Sequence, residues 1–280
     1  MPQDQLIKKE IIISKHLTDI SAILSLYGES VSEAGLLHGK IGNAIFFSHY
    51  ASFTCEEKFN QLANELIEEG NNQILLTYTL DNDDEIVAFN YENGLSGIGI
   101  GIEYLVKQGF MEADLDDVLD DMDMLLSKRI TGKTMPVSLM LDIGHYFLAR
   151  LSNTQTAKKD FFIQVMELVL HYFNNYLKIN PLQIPEIFKF LNELSKQYTH
   201  TVLSSLLNRQ FDLIKPKTMK IEERHIVLYN NVIEDLLNQS GKNIFCYNME
   251  MGGLINGYAG LGLSLLSMLD ARNNSWLNLL

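Results

Sequence analysis

The sequence predicts an all-α, single-domain protein, with an inner ring of helices inside an outer ring and one small β-hairpin insertion as its only strand structure. Three observations carry this reading. The motif GLxxGxxG opens apolar helix-like runs at Gly35–Gly42 (GLLHGKIG) and at Gly253–Gly260 (GLINGYAG), with graded relatives between them. Two kinds of helical stretch alternate: one is apolar nearly all round, as a helix enclosed on every side must be, and the other has a charged face that must meet water. No Pro/Gly-rich linker divides the 280 residues, a length that one closed barrel can fill.

In chain order, the first inner helix begins near Leu36 and continues as NAIFFSHYA, and an amphipathic outer stretch follows from Glu56 to Glu69. Ile74–Leu80 and Glu85–Tyr91 then alternate β-formers around Asn82, Asp83 and Asp84, which predicts a hairpin. A third copy of the motif, with its glycines shifted, spans residues 93–105 (NGLSGIGIGIEYL) and opens an inner helix near Leu95. After the outer stretch Leu115–Ser127, an eroded fourth copy keeps Gly144 in Ser138–Arg150, with its helix starting near Pro136. The outer stretch Lys159–Leu177 precedes a fainter fifth copy, IPEIFKFLNELSK at Ile184–Lys196, starting near Leu182. The outer stretch Glu222–Leu237 leads to the last inner helix near Leu254. Gly39, Gly97 and Gly257 are expected at one end of the ring, where a missing Cβ lets backbones approach and leaves the first helical N–H groups free to face a common mouth. Converging N-termini would make that mouth positive.

Charge and composition narrow the function. The net charge of −13 repels phosphate backbones and anionic lipid, so nucleic acid is not an expected partner. Met251–Leu269 carries no charge and holds Gly253 and Gly257 at GxxxG spacing, but Asn256, Tyr258, Ser264, Ser267 and its glycines dilute it, so membrane insertion is not expected either. The start MPQDQLIKKE lacks an apolar signal core, and the two cysteines, Cys55 and Cys246, form no CxxC pair; both features predict a cytoplasmic protein.

At GLLHGKIG, NGLSGIGIG and GLINGYAGLGLSLLS the sequence resembles the lanthionine synthetase C-like family, the zinc-dependent cyclases of lanthipeptide maturation and their relatives. The resemblance implies an α/α toroid, a barrel of helical hairpins whose inner helices open on Gly-rich motifs; family members have seven hairpins, and this chain shows five openings. It also implies where zinc would sit, on a Cys-Tyr-Gly and a Cys-His-Gly motif. Neither motif is present: Cys246 precedes Tyr247 but then Asn248, and His38 precedes Gly39 but follows Leu37. The resemblance therefore implies a shortened, catalytically degenerate member without zinc, which binds or scaffolds a precursor peptide or a peptide-modifying enzyme in the maturation of a ribosomally made peptide. No catalytic, cofactor-binding or metal residue is assigned, and His38, Ser96 and Asn256, near the helix heads, are the candidates for lining the mouth.

Two enzymatic alternatives stand beside this reading. A zinc-dependent thioether cyclase would need Cys246, His38 and His145 to converge across the ring, since catalytic zinc takes three protein ligands and an open position. A glycoside hydrolase of the α/α-barrel type would use carboxylates from Glu33, Glu92, Glu103 and Asp142. Asp142 and His145, at i and i+3, share a helical face and could act as an acid/base pair. The acidic run Glu112–Asp123 lacks the glycine turn and terminal glutamate of a calcium loop and is expected to be a solvated face.

Overall fold

A computed structural model describes residues 3–79, 85–132, 135–153, 156–176, 184–197, 222–238, 244, 247, 249–250 and 252–280. Helix is the regular structure of the described residues, with no strand among them beyond one isolated bridge between Glu250 and Gly257. We number the helices α1 (Gln3–Tyr27), α2 (Lys40–Thr54), α3 (Glu57–Thr79), α4 (Glu85–Phe89), α5 (Leu95–Lys107), α6 (Leu115–Val118), α7 (Asp120–Gly132), α8 (Val137–Ser152), α9 (Lys159–Tyr176), α10 (Ile184–Gln197), α11 (Glu222–Asn238) and α12 (Tyr258–Leu269). A 3-10 segment, Ala271–Leu279, follows α12.

Burial separates the two kinds of helix as their sequences require. Every residue of α2 from Lys40 to Ala51 is buried, and α12 is buried continuously from Tyr258 to Leu263. In contrast, α9 buries one stripe, Phe162, Val165, Met166, Val169, Leu170 and Phe173, at the 3- and 4-residue spacing of a single face. The glycine-headed helices and their relatives lie side by side: α12 packs on α2, α2 on α5, α5 on α8 and α8 on α10. The amphipathic helices flank this row, α3 against α2 and α9 against α8. Helix α1, which the motif analysis did not single out, packs along α12 through Ile13, Leu17, Ile20 and Leu24, again a helical stripe.

The hairpin expectation is overturned. Residues 74–79 complete the long helix α3 and Glu85–Phe89 form α4, while 80–84 lie outside the described residues. The run ILLTYTL follows a helix that is already nucleated, so each further helical residue adds a hydrogen bond at little cost. A lone two-stranded hairpin has no such support and is marginal by itself. β-propensity is the weaker signal because it reflects packing on a sheet, and the described residues hold none. The expected helix start near Leu182 also lies outside the described residues, which resume at Ile184.

The glycines explain how the heads pack. A Cβ at Gly257 would fall against the carbonyl oxygens of Gly252 and Gly253, backbone atoms that cannot swing away. A Cβ at Gly70, within α3, would meet Ile41 Cδ1 at an ordinary 3.4 Å. We therefore expect Gly257→Val to lose stability by about 1–3 kcal/mol or more through overpacking. Gly70→Ala should be neutral or gain up to about 1 kcal/mol of helix propensity. Urea unfolding of the two variants checks this, and equal midpoints would contradict the account.

Candidate functional site

Three helix heads share one local structure. Gly39, Gly94 and Gly257 are the N-cap residues of α2, α5 and α12, all in extended conformation, with φ/ψ of −134/−162, −100/−172 and −108/163 degrees. Three positions on, Gly42, Gly97 and Gly260 each press against the carbonyl oxygen of the residue six earlier: Leu36, Tyr91 and Leu254. This equivalence resolves the shifted glycines of the second copy. Its head is Asn90–Gly97, NYENGLSG, in register with GLLHGKIG and GLINGYAG, and Asn90 stands in place of the first glycine. The Asn90 side chain compensates by accepting hydrogen bonds from the N–H groups of Asn93 and Gly94, at 2.9 and 2.8 Å.

The first head is clasped between the other two. Leu37 N–H donates to the Glu92 carbonyl at 2.9 Å, and the Leu37 carbonyl accepts from Ile255 N–H at 3.1 Å. Asn43 Oδ1 accepts from Gly253 N–H at 3.1 Å. Gly253 adopts φ +86° with its Cα pressed against Leu37 and His38, a left-handed conformation and an approach that no side chain would permit. Behind α12, the Tyr229 hydroxyl of α11 donates to the Leu254 carbonyl at 2.9 Å and closes the last head from outside.

The expectation of free N–H donors at the mouth fails for several of these groups. Lys40 N–H donates to the Glu33 carbonyl and Ile41 N–H to that of Ala34, while Gly97 and Gly260 donate to Asn90 and Gly253. In every case the acceptor lies seven residues back, so the chain leading into each helix, at or just before the start of the motif, turns its carbonyls onto that helix start. The side chains must then supply any recognition. His38 Nδ1 pairs with Glu250 Oε2 at 2.8 Å on the rim, with the His38 side chain 26% exposed. Asn256 is exposed beside it in left-handed conformation (φ +56°), and its carbonyl accepts from Glu250 N–H at 3.0 Å. Ser96 is fully buried, its hydroxyl donating to the Phe89 carbonyl at 2.6 Å, so it anchors the α4–α5 turn and does not line the rim. Glu250 was not among the sequence candidates; only its placement opposite His38 in space marks it.

Asp142 and His145 turn to different neighbours. Burial pushes the Asp142 carboxyl up to about 6; the Tyr91 backbone N–H opposes this and the nearby Glu92 carboxylate reinforces it. Burial, then the charge of Lys189, drives His145 down to about 4; its ring meets Phe190 edge-on and its Nδ1 lies 3.9 Å from Glu193. The acidic run is not simply a solvated face. Asp123 is buried and takes Arg150 at 3.0 and 3.1 Å together with the Tyr146 hydroxyl at 2.6 Å. Asp116 binds Arg150, Thr156 and the Ala157 N–H, and Asp120 pairs with Lys158 at 2.5 Å. Glu103 is buried at the edge of this network with Lys107 at 2.7 Å, remote in role from Glu33 and Glu92, whose carbonyls serve the helix heads. A cleft of about 660 Å³ adjoins it between α5, α6 and α8, but its charged lining groups, Lys107, Asp114 and Asp116, already have partners within the protein.

Zinc does not fit the described residues. No group of three His, Cys, Asp or Glu side chains among them could hold a metal ion, His38 and His145 belong to separate clusters, and Cys246 lies outside the described residues. Among the same residues, no helix is long and apolar enough to cross a membrane. No family model, curated protein or solved structure matches this chain.

Two outcomes follow from these charges. Because Asp142 is raised above its unfolded value, it favours the fold fully below about pH 4 and loses that advantage as pH rises through 6, whereas His145 works in the opposite direction. The stability difference between Asp142→Asn and the wild type should therefore widen in favour of the variant from pH 5 to pH 7; thermal melts at both values check this. Arg150→Met strands the buried Asp123 charge and should cost about 3–5 kcal/mol by urea denaturation.

Proposed function

We propose that this protein is a shortened, zinc-free relative of the lanthionine synthetase C-like cyclases, acting in the cytoplasm as a peptide-binding or scaffolding component in the modification of a ribosomally made peptide. One observation carries the reading. Three glycine-capped heads, far apart in sequence, repeat the same backbone geometry and sit against one another. The side-by-side order α12–α2–α5–α8–α10, with amphipathic helices outside it, supports an α/α toroid as the architecture. In this reading the partner is a precursor peptide, or the enzyme that modifies it, held at the rim by His38 and Asn256. Glu250 fixes the His38 ring, leaving Nε2 to meet a peptide donor or acceptor. Ser96 contributes by setting the turn beneath them.

A carboxylate-based glycoside hydrolase is the second reading, favoured by the Asp142 carboxyl, which burial and then the nearby Glu92 raise to about 6, the direction that a general acid needs. Release of reducing sugar from a polysaccharide panel by the wild type, abolished in Asp142→Asn, would select it.

Titration with a precursor peptide encoded beside the protein's own gene tests the first reading. We expect saturable binding that His38→Ala weakens by about tenfold, a loss of roughly 1.4 kcal/mol. Absence of binding at high micromolar peptide would overturn it. Incubation with the dehydrated peptide, followed by thiol alkylation and mass spectrometry, should show no thioether beyond the protein-free control; faster cyclisation would instead assign a cyclase.

A further inference from the structure

Ten residues beyond the N-cap glycine, each of the three motif helices carries a polar side chain: His49 from Gly39, Tyr104 from Gly94 and Ser267 from Gly257. Because the heads are equivalent, these three groups occupy one level of one common face. All three bond to the same segment. Asn273 Oδ1 meets His49 Nδ1 at 3.1 Å, Ser275 Oγ meets the Tyr104 hydroxyl at 2.8 Å, and Trp276 Nε1 donates to Ser267 Oγ at 3.1 Å. Ser267 also donates to the Asn273 carbonyl at 3.0 Å, and the Tyr104 hydroxyl bonds His49 Nε2 at 2.7 Å. Further on, the Tyr91 hydroxyl, from the head of α5, donates to the Leu279 carbonyl at 2.6 Å. The segment Ala271–Leu279 therefore runs back along α12 and across α2 and α5, covering the face that the three helices share.

Its hold on that face is thin. It is a nine-residue 3-10 run, far beyond the three or four residues that this geometry ordinarily sustains. Trp276 and Leu279 are its buried side chains, at 1% and 4% exposed, while Leu277 and Leu280 are 36% and 39% exposed. A cavity of about 140 Å³ remains unfilled beside the indole, lined by Tyr229, Ile233, Ser264 and Met268. Beneath the segment His49 and Tyr104 are buried, and that burial lowers the His49 pKa and raises that of Tyr104 to about 12. Removing the segment would expose a hydrogen-bonding row on an apolar wall, the arrangement that takes an aromatic side chain flanked by amide and hydroxyl groups.

We propose that this face of α12, α2 and α5 is a peptide-binding surface, and that residues 271–280 are its intramolecular occupant, displaced by a peptide that presents an aromatic residue next to Asn and Ser side chains. The peptide nature of the ligand rests on the function proposed above; the displacement does not, and it is tested without any precursor peptide.

Trp276 is the single tryptophan of the chain, so its fluorescence reports this segment alone. In the wild type, acrylamide should begin to quench Trp276 at urea concentrations where the far-UV helix signal is still complete, the mark of a local opening. Quenching that appears only together with loss of helix would overturn the proposal. In the full-length variant Trp276→Ala, the synthetic peptide ARNNSWLNLL, the sequence of residues 271–280, should bind saturably while a scrambled peptide of the same composition does not. Calorimetric titration should show the wild type binding it at least about tenfold more weakly, because its own segment competes. Equal binding by the two proteins, or none by a folded Trp276→Ala, would overturn the proposal. Dimers of that variant which the peptide fails to dissolve would assign the face to a second copy and overturn it as well. If Trp276→Ala does not fold, the wild-type quenching experiment decides.

Discussion

A carbonyl oxygen packed where a Cβ would otherwise stand is the contact on which the helix-head architecture depends. At Gly42, Gly97 and Gly260 the first turn of the helix lies on the carbonyl of the residue six earlier, and no side chain fits between them. That closeness lets the chain fold back over its own helix start, with carbonyls seven residues upstream accepting the N–H groups that a helix start leaves unpaired. It also brings Leu37 within reach of Glu92 on one side and Ile255 on the other, so that one backbone ladder joins segments more than 200 positions apart in sequence. The placement of α2, α5 and α12 follows from this ladder.

The electrostatics respect the same frame. Near the heads, His38 and Glu250 remain partly in water, while Lys40 is buried and paired with Glu69. Farther down, polar groups are buried and must be paired. Asp123 is satisfied by Arg150 and Tyr146 and His49 is enclosed by Tyr104 and Asn273, whereas Glu103 has the charge of Lys107 beside it but no hydrogen bond to its Oε2. A buried ion pair adds little net stability compared with an apolar replacement, but loss of one partner is expensive. Networks of this kind favour one arrangement of neighbouring helices over others, and this one links α5, α6, α7 and α8.

Helix starts of this design differ from those that bind phosphate or carboxylate ligands through exposed N–H groups. Here carbonyls seven residues upstream are the partner, so the positive end of each dipole is partly quenched from within the chain. Any recognition at the heads would therefore fall to side chains rather than to the backbone. On the rim these are His38, Asn256 and Glu250; on the covered face they are His49, Tyr104 and Ser267, each at the same distance from its capping glycine. A repeated backbone with non-repeated side chains gives one fold several chemically distinct levels.

The sequence by itself determined most of the helices after the first and which of those are enclosed. The run after GLLHGKIG is buried from Asn43 to Ala51 and α12 from Tyr258 to Leu263, while Lys159–Tyr176 buries a single stripe, because burial follows from local periodicity, which a sequence displays directly. Only the tertiary structure decided the rest. The register of the second head depends on Asn90 replacing a glycine through its side-chain hydrogen bonds, a substitution that a glycine pattern does not reveal. Residues 74–79 became helix because they extend one already formed, against their β-forming composition. Glu250 meets His38, Asp123 meets Arg150 and Trp276 meets Ser267 because the helices were first packed by their heads. Such pairings lie on no local period; they exist only once distant backbones are held at the spacing that the glycines allow.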